Sequence, residues 1–381
     1  MKSSLISALA LVAGLAAAEP VQQQTDEFAI QMFSTLATTQ KGNIVFSPSG
    51  TEAVLHLLRQ GAAGETAKEL EALPLGKQGV KTTITPQQAN ALFVSNELEL
   101  NPGINKKQVR RVPFKTAPDK AVKAINKWAK QKTKGRITKV LTKDDVSADT
   151  RLIAANAIYL KAIWRSPFDS EFTQENTRFT LADGSTTTVT MMKQQANLTY
   201  AEGEAWQAVA LFYEPDDDIK STKNVARTHF IGILPKGDAR DFARRLTAET
   251  YQSIRTALAQ AAPQDTIVCL PRFTIKTKTF SLKDALSACG VKQAFSASGN
   301  FSGFTGSQLQ LSDIVQRCYI NINESGTEAA AVTEAFLEEG CIEEDEATRT
   351  KVINFDRPFI WVISDLETPA APFFMGLLEQ P

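Results

Sequence analysis

Two histidines, four cysteines and one alanine-rich stretch are where chemistry would have to reside in this 381-residue chain. His56 sits among Val54, Leu55, Leu57 and Leu58 and reads as a core or boundary side chain, while His229 precedes the apolar run FIGILP with no motif around it. A serine or cysteine hydrolase of the usual kind needs a histidine held by a carboxylate, and a zinc hydrolase usually has at least two histidine ligands. Neither pattern is present, nor is Gly-x-Ser-x-Gly, a phosphate loop or a dinucleotide fingerprint, so the sequence offers no catalytic constellation, metal set or cofactor motif. The cysteines, Cys269, Cys289, Cys318 and Cys341, all fall in the last third of the chain without metal-ligand spacing. Cys289 shares a helical face with Leu282, Ala285 and Leu286 before Gly290, and Cys269 and Cys318 lie in strand-like runs, so these three read as buried thiols. Cys341 lies in an acidic loop and is the one expected to be exposed.

The alanine-rich stretch is residues 321–336, NINESGTEAAAVTEAF. From Thr327 every second residue is Thr327, Ala329, Ala331, Thr333, Ala335 and Leu337, small or apolar throughout. The other parity is Glu328, Ala330, Val332, Glu334, Phe336 and Glu338. Successive side chains of a strand point to opposite faces, so as a strand this segment buries the first set and leaves three glutamates in water. Alanine and glutamate are nonetheless good helix formers and poor strand residues. The conflict points to a segment with two states, against the plainer reading of an alanine-rich surface helix.

The elements that must position this segment follow from composition and pattern. Met1-Lys2, an apolar run from Leu5 to Ala16 and the small residues before Glu19 have the form of a secretory signal, so residues 1–18 are expected to be removed. The apolar run is shorter than the roughly 20 residues that span a bilayer. With 42 basic and 42 acidic residues there is no net charge to recruit nucleic acid or a membrane, and 43% hydrophobic content supports a large core. No linker, repeat or low-complexity tract divides the chain after Thr25, which favours one domain over residues 19–381. Phe28, Met32, Phe33 and Leu36 recur at helical spacing, as do Val54, Leu55, Leu57 and Leu58 before Gly61, and Ile125, Trp128 and Ala129 before Gly135. After residue 150 the apolar runs shorten and become β-rich: RLIAANAIYL, FIGILP, DTIVCLPRFTI, QLQLSDIV, RPFIWVIS and APFFMGLL. Helices first and strands later predict an α+β domain built on antiparallel sheets.

Glu324, Ser325, Gly326, Thr327, Glu328, Ala329, Ala330, Ala331, Val332 and Thr333 resemble the hinge of the serpins, whose pattern Glu-x-Gly-Thr-Glu-Ala-Ala-Ala-x-Thr lies at the base of an exposed protease-bait loop. Residues 43–70, including Ser47, are similar to that family's Asn-x-x-Phe-Ser-Pro opening and its Gly-Ala-x-Gly-x-Thr helix end. Asn126, Trp128, Thr133, Gly135 and Ile137 match a second motif, and residues 151–168, with Asn156 and Trp164, a third. LPRF at 270–273, NFSGF at 300–304, DRPFIW at 356–361 and FFMG at 373–376 complete eight motifs in order. The resemblance implies a secreted, bacterial-type member: a single α+β domain with three β-sheets, about eight or nine helices and a reactive-centre loop at about 324–351. The implied activity is irreversible suicide-substrate inhibition of serine endopeptidases, with cysteine endopeptidases as a further class. The target acylates itself on the loop, and the cleaved loop then inserts into the central sheet, a switching transition established for that family. The competing class is a non-inhibitory member acting as a binding or carrier protein. Carriers are free to place bulky or charged residues on the inner face of the hinge, and this hinge does not.

Two departures fall in the sheet-opening region of Ser47, Gly50, Asn156, Trp164 and Gln316. Gly50 stands where the family has a serine, and Gln316 where it has a histidine; those two side chains form a latch beneath the sheet, which here must be built differently. The segment between Leu75 and Ala89 is also too short for the helix that carries polysaccharide contacts in animal members.

Family spacing places the scissile bond 16 residues after Glu324, between Gly340 and Cys341, with Glu339–Gly340 and Cys341–Ile342 as alternative registers. Glu338, Glu339, Glu343, Glu344, Asp345 and Glu346 surround it. Two readings stand: a merely solvated loop, or bait for a glutamate-specific or elastase- or subtilisin-like protease in preference to a trypsin-like one, whose acidic cleft these carboxylates repel. Arg349–Thr350 is a basic bond too far along the loop for trapping. An exposed Cys341 beside the bond would add redox sensitivity. Lys106, Lys107, Arg110, Arg111 and Lys115 form a basic cluster read either as a solvated face or as a weak polyanion contact. No cofactor, metal, nucleic-acid or membrane partner is expected, and the protein is expected to be an extracellular or periplasmic monomer.

Overall fold

Apolar residues at steps of three and four build the helical side of the molecule. The computed structural model describes residues 19–76, 82–216, 227–277, 280–307, 309–327, 350–366 and 370–381. In α1 (Glu19–Thr39) Phe28, Met32, Phe33 and Leu36 are buried, as their spacing predicts. After β1 (Ile44–Phe46), Ser47 caps α2 (Pro48–Arg59): its hydroxyl accepts from the Gly50 N–H at 2.9 Å, and Pro48 occupies the first turn, where no N–H is needed. Then follow α3 (Gly64–Glu71), β2 (Gln87–Ser95), β3 (Val109–Val112), α4 (Pro118–Lys132), β4 (Leu152–Tyr159), β5 (Ala162–Ile163), β6 (Gln174–Thr180), β7 (Thr186–Glu202), β8 (Trp206–Phe212) and β9 (Thr228–Pro235). The chain continues through α5 (Ala239–Arg245), α6 (Ala248–Gln260), β10 (Gln264–Pro271), β11 (Phe273–Lys276), β12 (Phe280–Ser281), α7 (Lys283–Ala288) and α8 (Ser302–Thr305). It ends with β13 (Asp313–Asn323), β14 (Gly326–Thr327), β15 (Lys351–Asn354), β16 (Phe359–Asp365) and β17 (Phe374–Leu378).

Eight α-helices and two sheets are present among the described residues. The first sheet runs β3-β2-β4-β13-β14-β5, with β11 and β12 also paired to β13. The second runs β1-β17-β16-β9-β8-β7-β10-β15, with β6 paired to β7. The third sheet that the resemblance implies is not separate: β7 pairs with β6 and β10 along most of its 17 residues and with β8 over Thr199–Glu202, so one continuous strand fuses the two sets.

The two sheets face each other across a core that includes Phe230, Phe273, Ile320 and Trp361. A second core joins Phe33, Leu55, Tyr251 and Ile314, tying α1, α2 and α6 to the strands. The third lies under α4, whose Val122, Ile125 and Trp128 cover Phe93, Ile153 and Val315 of the first sheet. Trp128 meets Phe93 edge-on at 5.2 Å between ring centroids.

Candidate functional site

One edge of β13 carries the site. Along it, Asp313–Tyr319 pair in parallel with Ile153–Tyr159 of β4, whereas Ile322 and Asn323 pair with Thr327 and Gly326 of β14. β14 is antiparallel to β13 and, on its other side, antiparallel to β5, with Gly326 opposite Ile163 and Thr327 opposite Ala162. Two hinge residues therefore already form a strand, in line with the closed seam between β4 and β13.

The sequence explains why the chain reverses here. The Asn323 side-chain carbonyl accepts from the Ser325 N–H at 3.0 Å and the Gly326 N–H at 3.2 Å, an Asx turn. Gly326 has φ +146°, and a Cβ there would run into the Ala162 carbonyl oxygen, so close approach as well as conformation demands glycine. The segment after β5 clamps the turn. Trp164 N–H donates to the Ser325 carbonyl at 3.0 Å, Phe168 N–H to the Glu324 carbonyl at 2.9 Å, and the Trp164 indole to the Asn323 carbonyl at 2.9 Å. Trp164 stacks on Tyr213 at 4.5 Å, and the Tyr213 hydroxyl shares a 2.6 Å hydrogen bond with the fully buried Thr327 Oγ1. Glu324 pairs with Arg272 and accepts from Thr173 Oγ1 at 2.9 Å. Burial alone would raise the Glu324 carboxyl, but the bonds from Arg272 and Thr173 outweigh it and hold the group below the ordinary glutamate value.

Beneath the seam lies the rebuilt latch. The buried Gln316 accepts from the Ser47 N–H at 2.7 Å and donates to the Ser47 carbonyl at 3.0 Å and to Thr51 Oγ1 at 3.2 Å, fastening β13 to the start of α2. Asn90, Asn156 and Gln316 are register partners across β2, β4 and β13, and Asn156 Nδ2 donates to Asn90 Oδ1 at 2.7 Å. Gly50 packs against this row: a Cβ there would stand 2.5 Å from Asn156 Oδ1 and 2.7 Å from Nδ2. Glycine at 50 and asparagine at 156 are thus fitted to one another. Gly50→Ser is expected to displace the Asn156 amide and lower stability by about 1–3 kcal/mol. Adding Asn156→Ala should recover part of that loss, measured by thermal unfolding.

The structure brings Ser47, Gly50, Asn156 and Gln316 together but places Trp164 at the hinge, not at the latch. Sequence reasoning missed Tyr213, Thr173 and Asn90, none of which stands in a motif; Arg272, within LPRF, had such a signal. Glu328 to Thr333 of the hinge, and Glu339, Gly340, Cys341 and Ile342, lie outside the described residues, as do residues 1–18. His56 is half-buried with Nε2 3.3 Å from the Gly76 carbonyl. His229 is buried, and burial, helped by nearby Arg227, lowers its pKa to about 4, so it stands neutral. Cys318 is buried and its thiol is pushed up by burial, while Cys269 and Cys289 are only partly buried; burial raises Cys289 to about 12. In the basic cluster, Arg111 pairs with Glu99 at 3.1 Å, Lys115 pairs with Glu97 at 3.5 Å and Arg110 Nε donates to the Lys107 carbonyl at 3.2 Å. Lys106 and Lys107 are exposed and form no ion pair among the described residues.

An α+β scaffold with a tethered hinge seated at the head of a parallel seam, latched from below, is the architecture of serine-protease-inhibitor folds. A family model described as Serpin (serine protease inhibitor) matches residues 23–381. Glia-derived nexin of Homo sapiens is 31% identical over 92% of this chain and 91% of its own length. Native protease nexin-1, solved with heparin, has a TM-score of 0.78 at 26% identity, covering 95% of this chain and 99% of that one. Thyroxine-binding globulin in complex with thyroxine has a TM-score of 0.77 at 23% identity, covering 94% and 99%, and shows the fold alone. The chain belongs to the serpin family, which generally inhibits serine proteases and also includes non-inhibitory carriers.

Proposed function

We propose that this protein is a secreted, single-use inhibitor of serine endopeptidases, trapping the acyl-enzyme by inserting its cleaved loop between β4 and β13. The observation that carries this reading is the seating of Gly326 and Thr327 between β13 and β5. β4 and β13 are parallel to each other, and β14 is antiparallel to β13. A strand that prolonged β14 along the seam would be antiparallel to both neighbours, replacing one parallel pairing by two pairings of the more stable kind. Strand alternation puts Ala329, Ala331, Thr333 and Ala335 on the side of buried Thr327, so their small side chains suit that position. From Thr327 to Gly340 the strand would extend about 45 Å at roughly 3.3 Å per residue.

The reactive bond in this reading is Gly340–Cys341, and its six flanking carboxylates select a glutamate-specific or elastase- or subtilisin-like protease. The protein is to be incubated with glutamyl endopeptidase and with elastase-, subtilisin- and trypsin-like enzymes. An SDS-stable conjugate with one of the first three is expected, together with a released peptide beginning at Cys341. Cleaved chain with no conjugate from any of them would refute trapping and leave the carrier reading.

A further inference from the structure

Among the register pairs that close the seam between β4 and β13, the one furthest from the hinge sets Asp313 against Ile153. Asp313 is the only acid on either strand. Its half-buried carboxyl group accepts from Ser281 Oγ of β12 at 2.6 Å, and the same hydroxyl accepts from the Lys283 N–H at 3.1 Å. The segment that follows α4 lies over this end of the seam: Ile137, Val140, Leu141 and Val146 share a core with Ile153 and Ala155 of β4 and Val315 of β13. That segment also brings Asp145 near enough for its charge to bear on Asp313.

Cations do not balance this acid. Lys283 of α7 bears on Asp313, but its Nζ lies over the Phe295 ring at 5.7 Å, and Asp313 forms no ion pair among the described residues. Lys143 is taken by Asp119 at 2.7 Å, Arg151 donates to the Ala148 and Thr150 carbonyls at 2.8 and 3.2 Å, and Arg317 donates to the Lys139 carbonyl. Burial, with the Asp145 charge added, pushes the Asp313 carboxyl up to about 6 against the pull of the Ser281 and Ile314 bonds and of Lys283. The folded chain therefore holds this proton more tightly than the unfolded chain does. The stability tied to it is complete below the ordinary aspartate value of 3.8 and is lost as pH rises through about 6.

We infer that Asp313 is a pH-sensitive fastener at the foot of the seam, holding β4 to β13 when protonated and loosening it when ionised, so that the cleaved loop inserts faster at neutral than at acidic pH. The inference rests on the trapping function proposed above and adds a regulation to it. A strand continuing β14 in its present register, with Gly326 opposite Asn323 and Thr327 opposite Ile322, would come level with Asp313 at Phe336, before the proposed reactive bond. Insertion must then part the Asp313–Ile153 pair. On parting, a neutral carboxyl exchanges one hydrogen bond for another, whereas an ionised one regains water and moves away from the Asp145 charge. Ionisation thus raises the energy of the closed seam above that of the parted one. Fastening β12 alone does not call for an acid, because an asparagine would accept the same Ser281 bond without a charge.

The test compares the intact parent with Asp313→Asn at about pH 5 and about pH 8, on either side of the titration. With a protease that conjugates the parent, conjugate formed per loop cleaved should be at least about threefold lower for the variant at the higher pH and should match the parent at the lower. Comparing the two chains at one pH cancels the protease's own pH dependence. In calorimetry the variant should melt higher than the parent by roughly 3 °C or more at the higher pH, a margin that closes at the lower. Asp145→Asn, which leaves Asp313 in place, should move the parent's loss of stability to higher pH values only if no repulsion acts, and to lower values if it does; the lower is expected. A variant-to-parent conjugate ratio that is the same at both pH values would overturn the inference and leave trapping standing. A parent that forms no conjugate at either pH would remove the trapping reading, and this inference with it.

Discussion

Thr327→Arg is expected to abolish covalent trapping while leaving cleavage of the loop intact. Thr327 has no exposed surface and its hydroxyl is bonded to Tyr213 at 2.6 Å, in a pocket closed by Trp164. An arginine there has no acid to pair with at that hydrogen bond, and burying an unpaired charge costs several kcal/mol. The side chain must therefore leave the sheet and take β14 with it. The proposed reactive bond, Gly340–Cys341, lies 13 residues further on in the sequence, so attack by a protease is expected to proceed normally. On denaturing gels the conjugate formed per loop cleaved should fall by about 100-fold, since several kcal/mol is two or more decades. Thr327→Ser, which keeps the hydroxyl, should trap like the parent. Full trapping by the arginine variant would remove the insertion mechanism.

The second large effect is thermal. A cleaved loop that inserts gains on the order of ten ladder hydrogen bonds at about 1 kcal/mol each, a total that rivals the stability of a whole domain. For a chain of this size such a gain raises the melting temperature by roughly 15 °C. Calorimetry of intact and loop-cleaved protein at one scan rate reads this directly. If the cleaved protein melts with the intact one, the seam does not open, whatever the hinge looks like.

Much of the fold was legible because its signals are local. The periodic apolar residues of α1, α2, α4 and α7 and most of the β-rich runs after residue 150 mark helices and strands that form there, but QLQLSDIV becomes strand only from Asp313, and β1, β2 and β3 precede the region where strands were expected. The merging of the expected third sheet into the second was not legible, because it depends on which partners one long strand finds along its length. The departures at positions 50 and 316 were visible as substitutions, but not their solution. Gln316 replaces an imidazole by grasping both polar groups of the Ser47 backbone, and Asn156 fills the space that a serine at 50 would take. Those contacts require three strands in register, which no local pattern encodes. Gly326 was visible only as part of the hinge pattern; the structure adds the reason for glycine, a backbone too close to Ala162 to admit a side chain.

If the loop inserts as proposed, the short β14 ladder bears on how fast the trap acts. Starting a strand from a free loop is the slow part, because chain must be ordered before enough contacts exist to offset the lost entropy. With Gly326 and Thr327 already bonded, that nucleation step is complete before any enzyme arrives. In the inserting reading, what remains is elongation, a zipper that closes one residue at a time as β4 parts from β13. The clock that races deacylation is then set by how readily the amide row beneath the seam lets go.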